Sequence, residues 1–229
     1  MTCDVTGFCA GRTQFEVTCD VQNYISIVHG KPPAPPPIFR LAHSYSEAMV
    51  LQAPRAQIWG YATARSKVVA SIGGGGGGGA AATADAEGLW RLVLPTPAAS
   101  AQSHTLRFSS TLDPGVKLNL TDVLFGDVWL CSGQSNMVFS MRSVASGHGD
   151  LAANASAEIA AAASHASSIR LLETGVVTES SPQSDFASPM AWSLPSAASV
   201  GGDTSSVWSG FSATCWYYGR EIAALTGRP

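Results

Sequence analysis

Charged residues are scarce in this sequence, and neither sign predominates strongly. They make up 13% of the 229 positions and leave a net charge of −3 at pH 7. Proteins that bind nucleic acid or an anionic membrane usually carry a basic patch, and none is present here. No apolar run approaches the ~18 residues that a membrane-spanning helix needs. We therefore expect no nucleic-acid partner and no membrane span, and the 45% of hydrophobic residues indicates a folded core.

The first twenty residues lack the apolar segment that a secretory signal peptide requires. Three of the five cysteines, Cys3, Cys9 and Cys19, are nevertheless crowded there. A disulfide in an oxidising compartment and ordinary unpaired thiols explain this crowding equally well. Asn119 and Asn154 each begin a glycosylation sequon, which matters only in a secreted protein. The localisation is therefore open, with the cysteines and sequons favouring a secretory, lysosomal or extracellular setting.

The sequence also lacks cysteines and histidines at the spacing of a metal-binding site. No C-x-x-C motif and no histidine pair has the separation of a zinc site, so we expect no metal site. The two remaining cysteines, Cys131 and Cys215, lie among apolar neighbours in the sequence. They are predicted to be small core residues.

Residues 1–37 end in the run KPPAPPP, which favours a stiff polyproline II spacer rather than a folded element. We predict that they form a low-complexity leader outside the main fold. Residues 38–121 instead show short segments of alternating polarity separated by turns, the pattern of a small antiparallel β-sandwich. The predicted strands lie at 39–41, 49–51, 57–61, 67–72, 89–94, 105–108 and 117–120. The predicted core includes Trp59, Trp90, Leu92, Leu106 and Phe108.

Seven consecutive glycines occupy positions 73–79. A phosphate-binding loop needs G-K-[ST] after its glycines, whereas Ala80 follows here. Glycine has the greatest backbone freedom of all residues. The run therefore predicts a flexible, low-complexity loop between two strands.

A continuous apolar run, VWLC at 128–131, lies between Gly126 and Gly133. Such a run predicts a strand buried on both faces in a parallel sheet. The small polar residues SGQSN at 132–136 predict a tight turn at the carboxyl end of that strand, where open α/β sheets place their ligands. Ser135 would then present its hydroxyl at the rim of the sheet, which suits a nucleophile.

The run GDVWLCSGQSNM closely resembles the first sequence block of the sialate O-acetylesterase family, a branch of the SGNH hydrolases. The nucleophile elbow G-x-S-x-G is not present, because position 137 is Met. In that family the serine of GQSN is the nucleophile, so the resemblance implies this role for Ser135. Gln134 and Asn136 would either support an oxyanion hole or only shape the turn.

The resemblance extends over residues 38–229. The phrases FRLAHSYSEAMVLQ, IWGYA and ADAEGLWRLVLP resemble the β-sandwich that precedes the catalytic block in that family. The phrase GFSATCWYYGREIAAL resembles the helix before the second strand of its catalytic domain. The resemblance implies a β-sandwich followed by the truncated start of an SGNH-type three-layer α/β hydrolase domain. Residues 122–229 would form the incomplete amino-terminal part of that domain.

Beyond the serine, an alanine-rich stretch at 154–166 predicts a helix with Asn154 as its N-cap. Residues 174–209 are rich in Ser, Pro and Gly and predict a long surface loop. Its two tryptophans, Trp192 and Trp208, either line a substrate cleft or anchor the loop to the core.

The last predicted elements are a strand at 169–172 and a helix at 212–226. Ser212 can cap the start of the helix, and Gly227 can end it. Apolar residues recur at helical spacing along this stretch and predict one buried face. That face consists of Phe211, Cys215, Tyr218, Ile222 and Leu225.

A serine hydroxyl is a poor nucleophile until a base accepts its proton, and the base is usually a histidine oriented by a carboxylate. In families of this kind an Asp-x-x-His motif supplies both groups, and the sequence contains none. Each histidine is predicted to be an isolated surface side chain; they are His29, His43, His104, His148 and His165. The 229-residue chain alone is therefore expected to be inactive or nearly so.

The function that the resemblance implies is that of a carboxylic ester hydrolase, a serine esterase that removes O-acetyl groups from sialic acid or related carbohydrates. It would act through an acetyl-enzyme at Ser135, without metal or organic cofactor. The expected partner is an O-acetylated carbohydrate substrate. The alternative is a catalytically incompetent fragment that acts as a carbohydrate-binding or interaction module. The sugar, the acetyl position and the oligomeric state are left open by the sequence.

Overall fold

The structure is a computed structural model of the chain. The residues it describes are 17–19, 25–27, 39–73, 78–133, 135–147, 150–175, 179–186, 188, 190–202 and 210–229. The chain divides into two compact units, Met1–Ile38 and Phe39–Pro229. In the first unit, β1 (Val17–Cys19) and β2 (Ile25–Ile27) pair in antiparallel fashion. The proline-rich run at 31–37 lies outside the described residues.

Strands dominate the first part of the second unit. They are β3 (Arg40–Leu41), β4 (Val50–Gln52), β5 (Arg55–Tyr61), β6 (Lys67–Gly73), β7 (Gly79–Thr83), β8 (Leu89–Pro95), β9 (Ser100–Ser110) and β10 (Leu118–Gly126). Each of the seven predicted strands is present, although β9 and β10 run further than predicted. β7 was not predicted, because its sequence GAAAT lacks the aromatic, Val and Ile residues that are enriched in strands.

These strands form two sheets. One has the strand order β4-β10-β9-β6-β7, and the other has the order β3-β5-β8. The pair β4 and β10 is parallel, whereas the other pairs are antiparallel. Inward-facing side chains of both sheets meet in one hydrophobic core, which includes Phe39, Ile58, Trp90, Leu106 and Phe125.

The predicted core is confirmed at four of its five positions. Trp90 and Leu92 of β8 are buried, while Arg91 between them is exposed. Leu106 and Phe108 of β9 belong to the same core. Successive residues of a strand point to opposite faces, so alternation in the sequence identifies both the strand and its buried side.

Trp59 is the exception, and its predicted place in the core is wrong. It lies half-buried on the outer face of β5, where its ring packs edge-on against Tyr61 with 5.8 Å between the ring centroids. Ile58 takes the inward position, opposite Leu92 of β8. Because adjacent residues of a strand cannot share a face, the pairing with β8 leaves Trp59 outside.

The glycine run joins two paired strands, as predicted. β6 ends at Gly73 and β7 begins at Gly79, with Ser71 of β6 opposite Gly79. Positions 74–77 of the run lie outside the described residues.

Helices and two short strands follow β10. They are α1 (Ser135–Val138), α2 (Met141–Gly147), α3 (Asp150–Ala161), a 3-10 turn (Ala162–His165), β11 (Leu171–Glu173), β12 (Met190–Ser193), α4 (Ala197–Gly201) and α5 (Ala213–Thr226). β11 and β12 pair in antiparallel fashion. Met141, Leu171, Val200 and Trp216 contribute to a second hydrophobic core among these elements.

Two predictions for this region are wrong in detail. α3 begins at Asp150, so Asn154 lies inside the helix and does not cap it, because the residues before it also favour helix. The loop predicted at 174–209 contains β12 and α4. α4 begins at a capping box in which the backbone N–H of Ser199 donates to Ser196 Oγ at 3.0 Å. The strand predicted at 169–172 is present as β11.

The strand predicted at 128–131 does not form. Val128, Trp129 and Leu130 are 43%, 54% and 88% exposed, and no described strand pairs with them. A run that is buried on both faces of a sheet needs paired strands at its sides and packing above and below. Without those neighbours among the described residues, the apolar run is a surface segment.

α5 is the helix predicted at the end of the chain, and its caps are confirmed. Ser212 is the N-cap, with its Oγ accepting a hydrogen bond from the backbone N–H of Cys215 at 3.3 Å, and Gly227 ends the helix in the left-handed conformation. Trp216 is buried, and its Nε1 donates to Glu158 Oε2 of α3 at 3.2 Å. This contact fixes α5 against α3.

The predicted apolar face of α5 is not the buried one. Ala213 and Trp216 are buried, whereas Tyr218 is 42% and Leu225 is 80% exposed. The exposed side of α5 instead lies beside the apolar segment 128–131, where Trp129 packs edge-on against Tyr218 with 5.4 Å between the ring centroids. The sequence pattern correctly predicted an apolar face on this helix, but it wrongly predicted that this face is buried.

Candidate functional site

Ser135 is the first residue of α1 and is exposed. The predicted helix start at this position is therefore present. The predicted strand that should lead into it is absent, since β10 already ends at Gly126 and residues 127–133 have no regular structure. The serine hydroxyl is thus presented to solvent by a turn that does not rest on a sheet.

The first turn of α5 holds the residues that follow Ser135. The backbone N–H of Ala213 donates to the carbonyl of Phe139 at 2.7 Å. Ser140 and Ser212 form an isolated antiparallel bridge. Thr214 Oγ1 donates to the carbonyl of Asn136 at 3.5 Å. The short helix that carries Ser135 is therefore fixed to the start of a longer, anchored helix.

A disulfide holds the residues that precede Ser135. Cys131 and Cys215 are bonded, with 6.0 Å between their Cα atoms and a sequence separation of 84 positions. The prediction that both are small core residues is wrong, because they form a disulfide and belong to neither hydrophobic core. Their sequence neighbours are apolar, but the structure leaves residues 128–131 on the surface, and there the two sulfur atoms meet. The bond connects the segment before the serine to the first turn of α5.

A groove of about 480 Å³ runs beside this turn. One side is formed by residues 127–133, another by residues 168–174, and a third by α5. Its lining is mostly apolar and includes Trp129, Leu130 and Ile222. Ser135 is not among its lining residues, although Gly133 and Met137 on either side of it are.

Four charged residues of the described part line the groove. Arg228 Nη2 pairs with Asp127 Oδ1 at 3.0 Å, and the other two are Arg170 and Glu173. Arg170 is almost completely buried, and its Nη2 donates to Asp122 Oδ2 at 3.0 Å while its Nη1 donates to the carbonyl of Ile169 at 3.0 Å. Its Nε has no hydrogen-bond partner among the described residues. Burial raises the pKa of Glu173 above its ordinary value. The mostly apolar lining of the groove is therefore interrupted by these charged residues.

Trp192 both anchors its segment and lines the groove, so the two predicted roles are compatible. Its ring packs against the core of the two sheets, and its Nε1 donates to the carbonyl of Ser44 at 2.8 Å. Its backbone N–H donates to Ser46 Oγ at 3.1 Å. Trp208 lies outside the described residues.

His43 is not the isolated surface residue that the sequence predicts. Its Nδ1 lies 2.9 Å from Asp185 Oδ2, and its backbone N–H donates to Asp185 Oδ1 at 3.0 Å. Arg40 also pairs with Asp185, at 3.3 Å. Burial alone would raise the pKa of Asp185, but the hydrogen bonds from His43, Arg40 and the backbone N–H of Phe186 outweigh it and lower that pKa. No sequence signal could find this pair, because 142 residues separate its members.

The other described histidines are packed against aromatic rings. His104 lies against Phe125 with 5.1 Å between the ring centroids, and His165 lies against Trp216 at 5.5 Å. In the part of the chain that the structure describes, no histidine forms a hydrogen bond with Ser135. His29 and His148 lie outside the described residues. A serine–histidine–carboxylate arrangement is therefore not assembled within the described part.

The remaining predicted site residues are only partly placed. Gln134 lies outside the described residues. Asn136 is exposed, and its carbonyl accepts the hydrogen bond from Thr214. Across the described ranges, no group of three His, Cys, Asp or Glu side chains is placed to hold a metal ion. Within the same ranges, no helix is both long enough and apolar enough to span a membrane.

Comparisons with known proteins agree on one group of relatives. The chain is 29% identical over 190 residues to a sialate O-acetylesterase of Rattus norvegicus, and 30% identical over 193 residues to one of Homo sapiens. Each match covers 80% of this chain. Among solved structures, a carbohydrate acetylesterase from Xanthomonas citri aligns with a TM-score of 0.67 and 26% identity over 83% of this chain. No family model matches the chain.

The resemblance to sialate O-acetylesterases that the motifs predict is therefore confirmed, and the named relatives are esterases. The fold, two β-sheets followed by helices, is shared with a carbohydrate acetylesterase. The chain spans 33% and 34% of the length of the two curated relatives and 38% of the Xanthomonas citri structure.

Proposed function

We propose that this chain carries the nucleophile of an esterase that removes O-acetyl groups from carbohydrates, and that Ser135 is that nucleophile. One observation supports this above all: the serine of the GQSN motif stands exposed at the start of α1, in a chain similar to named acetylesterases over four fifths of its length. The relatives' names favour O-acetylated sialic acid or a related carbohydrate as the substrate.

The proposal extends to the fold. Residues 38–121 would form a β-sandwich domain, and residues 122–229 the amino-terminal part of an SGNH-type three-layer α/β hydrolase domain. Residues 1–37 would be a leader outside both. The common core of the two sheets and the alignment with a carbohydrate acetylesterase structure support this division.

The reaction would proceed in two steps. Ser135 Oγ gives up its proton to a base and attacks the acetyl carbonyl carbon, and the resulting oxyanion collapses to release the sugar hydroxyl. Water then attacks the acetyl-enzyme and releases acetate. The backbone N–H of Ser135 could donate to the oxyanion, and Gln134 and Asn136 could assist or only shape the turn. The base is left unassigned, because the described residues place none against Ser135.

A second candidate is a carbohydrate-binding or interaction module without catalysis. The same missing base favours it, together with the open apolar groove beside α5. The two candidates differ in whether Ser135 reacts, so one experiment separates them.

The experiment is acetyl release from a chromogenic acetate ester by the protein expressed from its natural gene, combined with fluorophosphonate labelling. The proposal expects turnover and labelling that Ser135→Ala abolishes. Ser132→Ala is the matched control, since Ser132 is an exposed serine of the same turn, and it should retain both. Labelling that survives Ser135→Ala would refute the assignment. Turnover and labelling that are absent from the unmodified protein would favour the second candidate.

A further inference from the structure

We propose that the Cys131–Cys215 disulfide positions Ser135 for reaction, so that catalysis by this serine requires the oxidised form of the pair. The inference rests on the proposed function of Ser135. It assigns the two cysteines as positioning residues that act through the turn, and it does not place either sulfur atom in contact with the substrate.

Apart from the disulfide, the described polar attachments of the segment before Ser135 lie at its start. Asp127 Oδ1 pairs with Arg228 Nη2 at 3.0 Å and accepts from Gln52 Nε2 at 3.2 Å. The backbone N–H of Asp127 donates to the carbonyl of Pro229 at 2.8 Å, and that of Val128 donates to Gln52 Oε1 at 3.0 Å. From residue 129 to residue 133, no backbone hydrogen bond joins the segment to another described residue. Leu130 is almost fully exposed, so burial adds little. The disulfide is therefore the strongest attachment close to the serine.

The segment after Ser135 is attached to the same turn of α5. Ala213 donates to Phe139, Thr214 donates to Asn136, and Ser212 Oγ lies 3.3 Å from Met137 Sδ. Cys215 belongs to this turn as well. The chain is therefore anchored to α5 on both sides of the serine. The first anchor, before Ser135, is the covalent disulfide bond, and the second, after Ser135, consists of non-covalent contacts.

The helix that receives both anchors is itself fixed. Trp216 is buried in the second hydrophobic core and donates to Glu158 of α3. Arg220, one turn further on, forms an ion pair with the same carboxylate. α5 is therefore a fixed support. The position of Ser135 depends on how tightly the turn that carries this serine is attached to α5.

Loss of the disulfide would remove the first anchor and leave the turn attached to α5 by the hydrogen bonds of the second, which would then open more often. Reduction by a dithiol transfers two electrons and two protons to the pair, giving two thiols and a cyclic disulfide of the reductant. Among the described residues, 129–133 would then be connected to α5 through non-covalent contacts such as that between Trp129 and Tyr218. Reacting groups misplaced by about 1 Å can lose about 10²-fold in rate, so the chemical step should slow more than substrate binding weakens.

The first test is structural and uses the 229-residue chain. Alkylation without reductant, read by mass spectrometry, should leave Cys131 and Cys215 unmodified. In hydrogen exchange, the amide of Ala213, which donates to the carbonyl of Phe139, should exchange at least about tenfold faster in Cys131→Ser/Cys215→Ser and in reduced wild type, with β6 and β9 unchanged. Free thiols in the native chain would overturn the proposal, and so would unchanged exchange at Ala213 or an equal rise in all elements.

The second test is kinetic and uses the protein expressed from its natural gene. The double variant should lose about 10²-fold in kcat with KM changed less than about twofold. Ser66→Ala is the control for general destabilisation, because Ser66 is buried in a hydrogen-bond network of the sheets, far from the turn in sequence. It should lower the melting temperature and leave kcat unchanged. An equal fall in kcat for both variants would refute positioning.

The results of these tests distinguish a wrong positioning proposal from a wrong proposed function. If the oxidised natural protein shows no turnover that depends on Ser135, the proposed function is wrong, while hydrogen exchange still decides whether the disulfide holds the turn. If turnover depends on Ser135 and the reduced protein is equally fast, the function stands and the positioning proposal is wrong.

Discussion

The two parts of the Phe39–Pro229 unit bury their apolar residues to different degrees. In the sheets, Trp90 and Leu106 are almost inaccessible to solvent. The helical part has a core of its own, in which Met141 and Trp216 are buried. Other apolar side chains there remain largely exposed, with Leu130 in the groove lining and Leu225 on α5 at the extreme. Both parts carry a clear hydrophobic pattern in the sequence, but in the helical part a share of that pattern finds no matching surface among the described residues.

This contrast shows what a hydrophobic pattern determines. In the sheets, each inward residue meets a partner supplied by a strand close in the chain or by the facing sheet, as Ile58 meets Leu92. The segment 128–131 and the outer face of α5 have the same apolar character without a paired strand between them. A pattern therefore specifies which side of an element should be covered, and coverage depends on what else is folded against it.

The largest effect is expected in activity. The 229-residue chain should release acetate no faster than its Ser135→Ala variant, and on the order of 10⁴-fold more slowly than an active relative, because no base lies against Ser135 among the described residues. The measurement is hydrolysis of a chromogenic acetate ester. The rat sialate O-acetylesterase is the positive control. Robust turnover by the chain that depends on Ser135 would contradict this and would make His148 or His165 the first candidates for the base.

The next largest effect is expected in stability, when the same Leu→Ala substitution is made in the sheets and in the helical part. Leu106→Ala removes a fully buried side chain from the core of the sheets and should lower the free energy of unfolding by about 2–5 kcal/mol. Leu225→Ala changes an 80% exposed side chain of α5 and should change it by less than about 0.5 kcal/mol. Urea unfolding followed by fluorescence measures both. Equal losses would mean that the face of α5 is covered in solution.

Much of the sheet region could be predicted from the sequence, because the determining information is local. The alternation of Trp90, Arg91 and Leu92 identified both a strand and its inner side. Trp59 was misassigned because its neighbour Ile58 is also apolar, so hydrophobicity alone did not determine which of the two faces inward. The pairing with β8 decided it, and pairing joins residues distant in the chain.

The candidate site was less predictable, because its decisive contacts join residues that are distant in the chain. The GQSN motif located Ser135 and its helix start, because these depend on a few adjacent residues. The Cys131–Cys215 bond and the His43–Asp185 pair join residues 84 and 142 positions apart, and no spacing rule connects them. The assignment of Ser135 as nucleophile stays a prediction, since nothing in the described structure supplies its base.

A smaller effect should appear as a pH dependence in the sheet part. Asp113 accepts hydrogen bonds from Ser110 Oγ, and from the Oγ1 and backbone N–H of Thr63. Burial would raise the pKa of Asp113, but these hydrogen bonds outweigh burial and lower that pKa below its ordinary value. A lowered pKa in the folded state gives stability that is present above the unfolded value and disappears as the pH falls through the folded one.

Asp113→Asn should therefore destabilise the chain by about 1–2 kcal/mol at pH 7, and the difference from wild type should shrink as the pH falls from about 5 to about 3. Urea unfolding across this pH range measures the difference. Glu87→Gln serves as a control on an exposed turn and should follow wild type within about 0.5 kcal/mol throughout. A constant difference across the range would show that the charge of Asp113 contributes nothing.

The smallest effect tests whether the two parts are stabilised together. Trp192 belongs to the helical part, yet its Nε1 donates to the carbonyl of Ser44 next to β3. Trp192→Phe keeps most of the ring and removes this hydrogen bond, which should lower the free energy of unfolding by about 1 kcal/mol. Trp129→Phe is the matched control, because Trp129 lines the same groove, is largely exposed and makes no described indole hydrogen bond. It should cost less than about 0.5 kcal/mol. If the two variants lose equal stability, the hydrogen bond between Trp192 and Ser44 does not stabilise one part against the other.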